Sequence, residues 1–460
     1  MTAIVRSVLA ALVVSSTLAA QAPSRGTLVT RIDSIVNAAL AAPFSGFSVA
    51  VVKGRDTLTM KAYGSANIEL GVAATPATVY RIGSLTKQFT SSLVMQLVEQ
   101  GKIGLEDPLS KYRPGIPAHW RSITVHQLLN HTSGIPSYTD VGPQVRNVFV
   151  TGTSRDSLIA MLYVDSLMFA PGTGFYYNNS GYYLLGMLIE QITGKTYAAN
   201  VAELVKPLGL EHTMYCGTGP LIPGRANGYD RQGPTLVNAA YINMDIPYSA
   251  GSICSTAGDL VTWSRALASG RVVRPESYRL MTTPVKLASV RPMTYGFGLG
   301  ADTLGTHRVV SHGGNVNGFA AGLMHLPDDS LFVAVLSNTS SAPSARIADD
   351  IVRAVIGVPR VAVAPRDVAL SADERTAMLG RYSLVQPDGS RREVSLVEQD
   401  GHIALSIPGQ PPMVLLRQDG SVFTVRGQTA TRVFFEMNGG RVAGFILDRG
   451  SRPLPARRIP

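Results

Sequence analysis

The chain has 460 residues, of which 45% are hydrophobic and 16% charged, a balance that excludes a disordered or fibrous polymer and leaves room for two or three domains with buried cores. Its formal charge of +10 comes from 41 Lys and Arg set against 31 Asp and Glu. The arginines are scattered rather than clustered and no nucleic-acid motif is present, so no nucleic-acid partner is expected; a weak attraction to anionic polymers or membrane surfaces fits the charge.

Residues 1–22 read as a cleaved secretory signal peptide. Arg6 supplies the positive start, residues 7–14 a short apolar core, and Ala19, Ala20 and Ala22 the small residues of a cleavage site. A cut after Ala22 meets the Ala-x-Ala rule but puts Pro23 at the next position, so cuts after Ala20 or Ala19 stay open. The expected location is secreted or periplasmic. The apolar core is too short to span a bilayer and no later run reaches about 18 apolar residues, so no stable membrane insertion of the mature chain is expected.

Next comes an apolar strand at Phe47–Val52, turned by Lys53-Gly54-Arg55-Asp56 into a second strand over 57–63. Beyond Gly83 the apolar stripe of Phe89, Leu93, Val94, Leu97 and Val98 predicts a helix closed by Gly101, with Ser84 at its N-terminus. Ser180–Ile192 predicts another, stopped at Gly194, with Tyr177 and Asn179 on the loop before it. Leu323–Leu326, a turn at 327–330 and Leu331–Leu336 give a strand–turn–strand unit. A boundary falls near 357–370. Beyond it, short strands alternate with turn signals at Pro387-Asp388-Gly389, Asp400-Gly401, Asp419-Gly420 and Asn438-Gly439-Gly440, which predicts a small all-β domain over 368–460, a barrel or a sandwich. The two cysteines, Cys216 and Cys254, suit either a disulfide or two buried thiols, and spacing does not decide between them.

The chemistry-bearing pattern is Arg81-Ile82-Gly83-Ser84-Leu85-Thr86-Lys87. Ser84 and Lys87 stand one helical turn apart on one face, and a lysine whose pKa is lowered by burial or a neighbouring charge can take a serine's proton. One Ser-x-x-Lys is expected by chance in such a chain. What strengthens it is order: Tyr177-Asn178-Asn179 and then His312-Gly313-Gly314 follow. Tyr176-Tyr177-Asn178 and Tyr241-Ile242-Asn243 also fit Tyr-x-Asn, and the preceding Pro171-Gly172 with Phe175 favours Tyr177. His126 and His131 read as local hydrogen-bonding residues. With no His-x-x-x-His and no Cys-x-x-Cys, no metal and no cofactor are implied. Gly-x-Ser-x-Gly is absent, which argues against an α/β-hydrolase.

From about residue 40 to 345 the chain resembles the serine β-lactamase-like family of class C β-lactamases, D-Ala-D-Ala carboxypeptidases, D-aminopeptidases and esterases. The likeness rests on residues 80–90, 123–134 (ending His131-Thr132-Ser133-Gly134), 171–179 and Ser255-Thr256-Ala257-Gly258-Asp259-Leu260. The C-terminal segment more loosely resembles the lipocalin-like domains appended to such enzymes. The resemblance implies an α+β hydrolase domain over 23–360, a mixed antiparallel sheet with flanking helices, followed by the all-β barrel-like domain. It also implies that Ser84 is acylated, Lys87 activates it, and Tyr177 passes the proton to the leaving group. Asn179 would orient Lys87 and the substrate, His312 and Gly314 would belong to the third motif, and the backbone N–H groups of Ser84 and Asn315 would form the oxyanion hole.

His312 stands where most β-lactamases carry lysine, and Gly313 where they carry threonine. A mostly neutral histidine weakens recognition of a free carboxylate unless an arginine such as Arg81 or a residue of the C-terminal domain substitutes. The expected function is thus a serine hydrolase cleaving a small ester or a D-amino-acid-containing amide or peptide, with cell-wall fragments as one source of substrate. Alternatives are a β-lactamase or D-Ala-D-Ala carboxypeptidase, and a non-catalytic penicillin-binding sensor.

Overall fold

The computed structural model describes residues 23–460 apart from 141–142, 164–166, 288–291, 361–363, 387–389 and 450–452. The expected signal segment and the expected turn at 387–389 lie outside the described residues.

Helix α1 (Arg25–Leu40) is capped by Ser24, whose hydroxyl accepts from the Thr27 N–H, and it buries Leu28, Ile32 and Val36 at four-residue intervals. The expected hairpin follows as β1 (Gly46–Lys53) and β2 (Asp56–Asn67), with the short β3 (Val72–Ala73) along its outer edge. Then come α2 (Thr86–Glu99), α3 (Asn179–Thr193) and α4 (Ala257–Ala268). Four more strands complete the sheet: β4 (Gly300–Leu304), β5 (His307–Val316), β6 (Phe319–Leu326) and β7 (Leu331–Ser337). Their order is β3-β2-β1-β7-β6-β5-β4, and each neighbouring pair is antiparallel. The first and last long segments of the domain therefore meet at the sheet centre, with Val49 opposite Val335.

Both faces of that sheet are covered. Phe47, Val49 and Val51 of β1 pack with α1 and with Ile347, Ile351 and Val355 of α5 (Ser344–Ile356). Ala50 and Val52 point the other way, into the core that holds α2, α3 and α4. This explains why β1 reads as a continuous apolar run rather than an alternating one. Each such buried aliphatic side chain stabilises the fold by about 1.5–3 kcal/mol relative to exposure.

The C-terminal hairpins close into an eight-stranded barrel. Its strands are β8 (Gly380–Val385), β9 (Arg391–Gln399), β10 (His402–Ser406), β11 (Met413–Asp419), β12 (Val422–Val425), β13 (Gln428–Asn438), β14 (Arg441–Asp448) and β15 (Leu454–Ile459). Closure comes from β8 pairing with β15, which removes the sheet edges. Met168 and Tyr176 of the preceding domain join the barrel's apolar cluster, so the two domains share a packed contact beside the Tyr177 loop.

Candidate active site

The Arg81–Lys87 segment is not the plain helix start that the apolar stripe predicts. Gly83–Leu85 forms a 3-10 turn and the α-helix begins at Thr86, so Ser84 sits in the tight turn that feeds α2. Two glycines explain the geometry. Gly83 adopts φ 53°, and a Cβ there would lie 2.7 Å from the Asn315 backbone nitrogen. A Cβ on Gly314 would lie 1.9 Å from the Ile82 carbonyl oxygen. Strand β5 therefore runs in backbone contact with the Ser84 turn, which any side chain at either position would prevent.

Lys87 is fully buried. Its Nζ donates to Asn179 Oδ1 at 2.8 Å, to the Ala250 carbonyl at 2.9 Å and to Ser84 Oγ at 3.1 Å, and it stands 4.8 Å from the centre of the Tyr177 ring. All three acceptors are neutral oxygens, an arrangement that fixes the amine against the serine. Asn179 is the first residue of α3 rather than a loop residue, and Asn178 is the N-cap, accepting from the Gly181 N–H. Ser137 and Thr139 hold Asn179 from the other side: its backbone N–H donates to Ser137 Oγ and its Nδ2 to Thr139 Oγ1.

Tyr177 is buried on the loop before α3, and His131 fixes its position. The His131 carbonyl accepts from the Tyr176 N–H, its Nδ1 accepts from the Asn178 N–H, and its ring lies 4.4 Å from the Tyr177 ring. His131 holds a left-handed backbone, φ 62°, and burial keeps its pKa well below the usual histidine value. The neutral ring is thus a local hydrogen-bonding residue, as expected. His126 instead pairs with Glu106 near the surface.

His312 reaches the same cluster from β5. Its Nδ1 is 2.5 Å from the Gly313 carbonyl, which can only accept, so Nδ1 carries the proton and Nε2 accepts from the Tyr295 hydroxyl at 2.8 Å. Loss of solvation, reinforced by the Lys87 charge, pushes the His312 pKa down to about 4. Part of the ring still opens to the cleft, but at neutral pH it offers no positive charge. Burial also keeps the Tyr295 hydroxyl protonated, so it remains a donor.

Ser84, Tyr177, Asn179, His312, Gly314 and Asn315 all line one cleft of about 910 Å3, with Lys87 behind Ser84. Three contributors were missed by motif reading. Tyr295 and the buried His131 are one, with rings 4.9 Å apart; Ser137 and Thr139 are another; Arg346, on the first turn of α5 at the cleft wall, is the third. The glycine-rich Tyr295-Gly296-Phe297-Gly298 run was an available signal: a Cβ on Gly298 would lie 2.7 Å from the Lys87 carbonyl. Among the described residues no group of three or more His, Cys, Asp and Glu is placed to hold a metal. Cys216 and Cys254 form a disulfide beside this region, closing a loop whose constraint stabilises on the order of 3–4 kcal/mol.

Comparison with known proteins gives the same outline. The chain is 26% identical over 370 residues to a D-aminopeptidase of Gluconobacter oxydans, covering 76% of this chain and 66% of that one. It is 30% identical to a D-stereospecific amidohydrolase from Streptomyces sp., with a TM-score of 0.63 over 72% of this chain and 98% of the other. SurE, crystallised with D-Leu, is 25% identical with a TM-score of 0.71 over 95% of this chain and 99% of its own, so the superposition includes the barrel. The chain spans between 60% and 66% of the length of the curated relatives it matches. The family model described as Beta-lactamase matches residues 32–357, and the chain belongs to the beta-lactamase family.

Proposed function

We propose that this protein is an exported serine hydrolase that forms an acyl-enzyme on Ser84 and cleaves a small ester or a D-amino-acid-containing amide or peptide. The observation that carries the reading is the Lys87 amine, buried and held within 3.1 Å of Ser84 Oγ by Asn179 and the Ala250 carbonyl. In the proposed reaction Ser84 Oγ attacks the carbonyl carbon as its proton passes to the Lys87–Tyr177 pair. The backbone N–H groups of Ser84 and Asn315 stabilise the oxyanion, each worth roughly 3–4 kcal/mol in comparable sites. Collapse of the tetrahedral intermediate breaks the bond to the leaving group, which takes its proton through Tyr177. Water then attacks the ester on Ser84 and regenerates the hydroxyl. The Lys87 amine lies over the Tyr177 ring, 4.8 Å from its centre, and the base is assigned to the two together.

The neutral His312 favours substrates without a free carboxylate at that corner. The D-stereospecific amidohydrolase and the D-aminopeptidase among the relatives support a D-amino-acid substrate. The second reading, a β-lactamase or D-Ala-D-Ala carboxypeptidase, is favoured by Arg346, a cation on the cleft wall that suits a carboxylate. Product analysis with D- and L-amino-acid amides, a simple ester and a penicillin separates them. Release of D-amino acid or alcohol, lost in Ser84→Ala, supports the first; turnover of the penicillin alone supports the second.

A further inference from the structure

At the end of β5 away from His312 lies a second, smaller pocket of about 270 Å3 into which Arg81 and Arg225 both face, together with Asn227, Tyr241, Asn317 and Phe319. Two guanidinium groups repel one another and normally each finds an acid. Among the described residues the charged or ionisable neighbours acting on Arg81 are Arg225 and Tyr241, neither of them a carboxylate. Arg81 is largely withdrawn from solvent, with its Nε buried and without a hydrogen-bond partner among the described residues, and its guanidinium lies 5.7 Å from the Phe319 ring centre. Such a group is costly to bury and stays so until an acceptor arrives.

The scaffold fixes both arginines on one small framework. Arg81 pairs in register with Cys254, which is tied to Cys216 by the disulfide, and Val79, two residues earlier, bridges to Arg225. The Asn317 side chain closes one wall by donating to the Ala240 carbonyl. A pair of planar forks facing one pocket suits an oxyanion with two acceptor oxygens, above all a carboxylate.

The pocket shares no lining residue with the Ser84 cleft, but two of its residues stand a few positions along the chain from residues of that cleft. Arg81 is three residues before Ser84, a stretch of chain that spans at most about 11 Å. Asn317 follows the oxyanion residue Asn315 by two positions and His312 by five, or roughly 16 Å of extended chain. We propose that Arg81 and Arg225 form an oxyanion subsite of the hydrolase, taking a carboxylate that the substrate carries about one or two residues from the scissile bond. The subsite rests on the Ser84 hydrolase reading and narrows its substrate to acids: an ester or D-amino-acid amide bearing a carboxylate that runs past Asn317.

The test uses two fluorophosphonates of matched chain length, one ending in a carboxylate and one in its methyl ester, with the rate of Ser84 labelling read by intact mass. The expected result is at least a tenfold preference for the carboxylate probe, falling towards one in Arg225→Gln and in Arg81→Gln and partly kept in Arg225→Lys. Arg225 is an exposed residue of a loop, so its variants remain informative if Arg81→Gln does not fold. No preference in the unaltered protein, or the same preference in the Gln variants while Ser84 is labelled, overturns the subsite. If Ser84 takes neither probe, the hydrolase reading fails by itself, and calorimetric titration with succinate then decides the pocket: binding that weakens at least tenfold in Arg225→Gln upholds it, and binding absent or unaltered overturns it.

Discussion

Around Ser84 the larger domain buries a lysine, a histidine and a run of serines and threonines (Lys87, His131, Thr90, Ser91, Ser92), whereas the barrel fills its interior with Tyr382, Phe423, Phe435, Phe445 and aliphatic neighbours. A buried polar group is costly unless it is hydrogen-bonded, and even then contributes less than an apolar side chain of its size. The first region therefore gives up stability to hold a polar cluster, and the second is built for stability. The shared contact at Met168 and Tyr176 lets the barrel brace the loop that carries Tyr177.

Four substitutions or conditions sharpen that contrast, beginning with the largest effect. Lys87→Met keeps the volume and removes the amine, so turnover falls by about a thousandfold or more while the melting temperature moves by only a few degrees. Parallel rate assays and thermal melts check it, and a large loss of stability with activity retained would reverse the assignment of this region. In the barrel the order is opposite: Phe435→Ala removes a ring packed against Phe423 and Phe445 and costs about 3–5 kcal/mol, read by urea unfolding, with no loss of a reacting group. Gly314→Ala forces β5 away from the Ile82 carbonyl; a displacement of that kind at a reacting centre lowers turnover by roughly a hundredfold while the protein stays folded.

Acid is the mildest probe. His312 and His325 are both pushed down to about 4, and His131 lies well below its ordinary value, all chiefly by burial. Between about pH 6.5 and 4 the unfolded chain binds protons that the folded chain does not. Stability therefore falls as the pH drops through that window, by at most about 1.4 kcal/mol per pH unit for each histidine. All three histidines belong to the larger domain, so melts followed by a barrel signal and by a signal from that domain should separate on acidification.

Legibility followed the same division. Ser84 and Lys87 were readable because one helical turn brings them together whatever the fold does, whereas Asn179, singled out by Tyr-x-Asn and expected on the loop, instead opens the helix. The Asp-Gly and Asn-Gly-Gly turns gave away the barrel hairpins, though not whether they closed, since closure depends on β8 meeting β15 at the far end of the domain. His131 and Tyr295 were not assigned to the site. They act through ring contacts and single hydrogen bonds between separate segments, 47 residues apart for His131 and Asn178 and 17 for Tyr295 and His312, and no local pattern encodes such a contact. The 3-10 turn at Ser84 was missed for a related reason: it is imposed by β5 pressing on Gly83, not by the helix's own residues.

The most direct test of the central claim is intact mass spectrometry of the protein and its Ser84→Ala variant after exposure to a fluorophosphonate. One adduct per chain, mapped to Ser84, is expected in the unaltered protein, and none in the variant. An adduct that persists in Ser84→Ala, or its absence from both proteins, would contradict it.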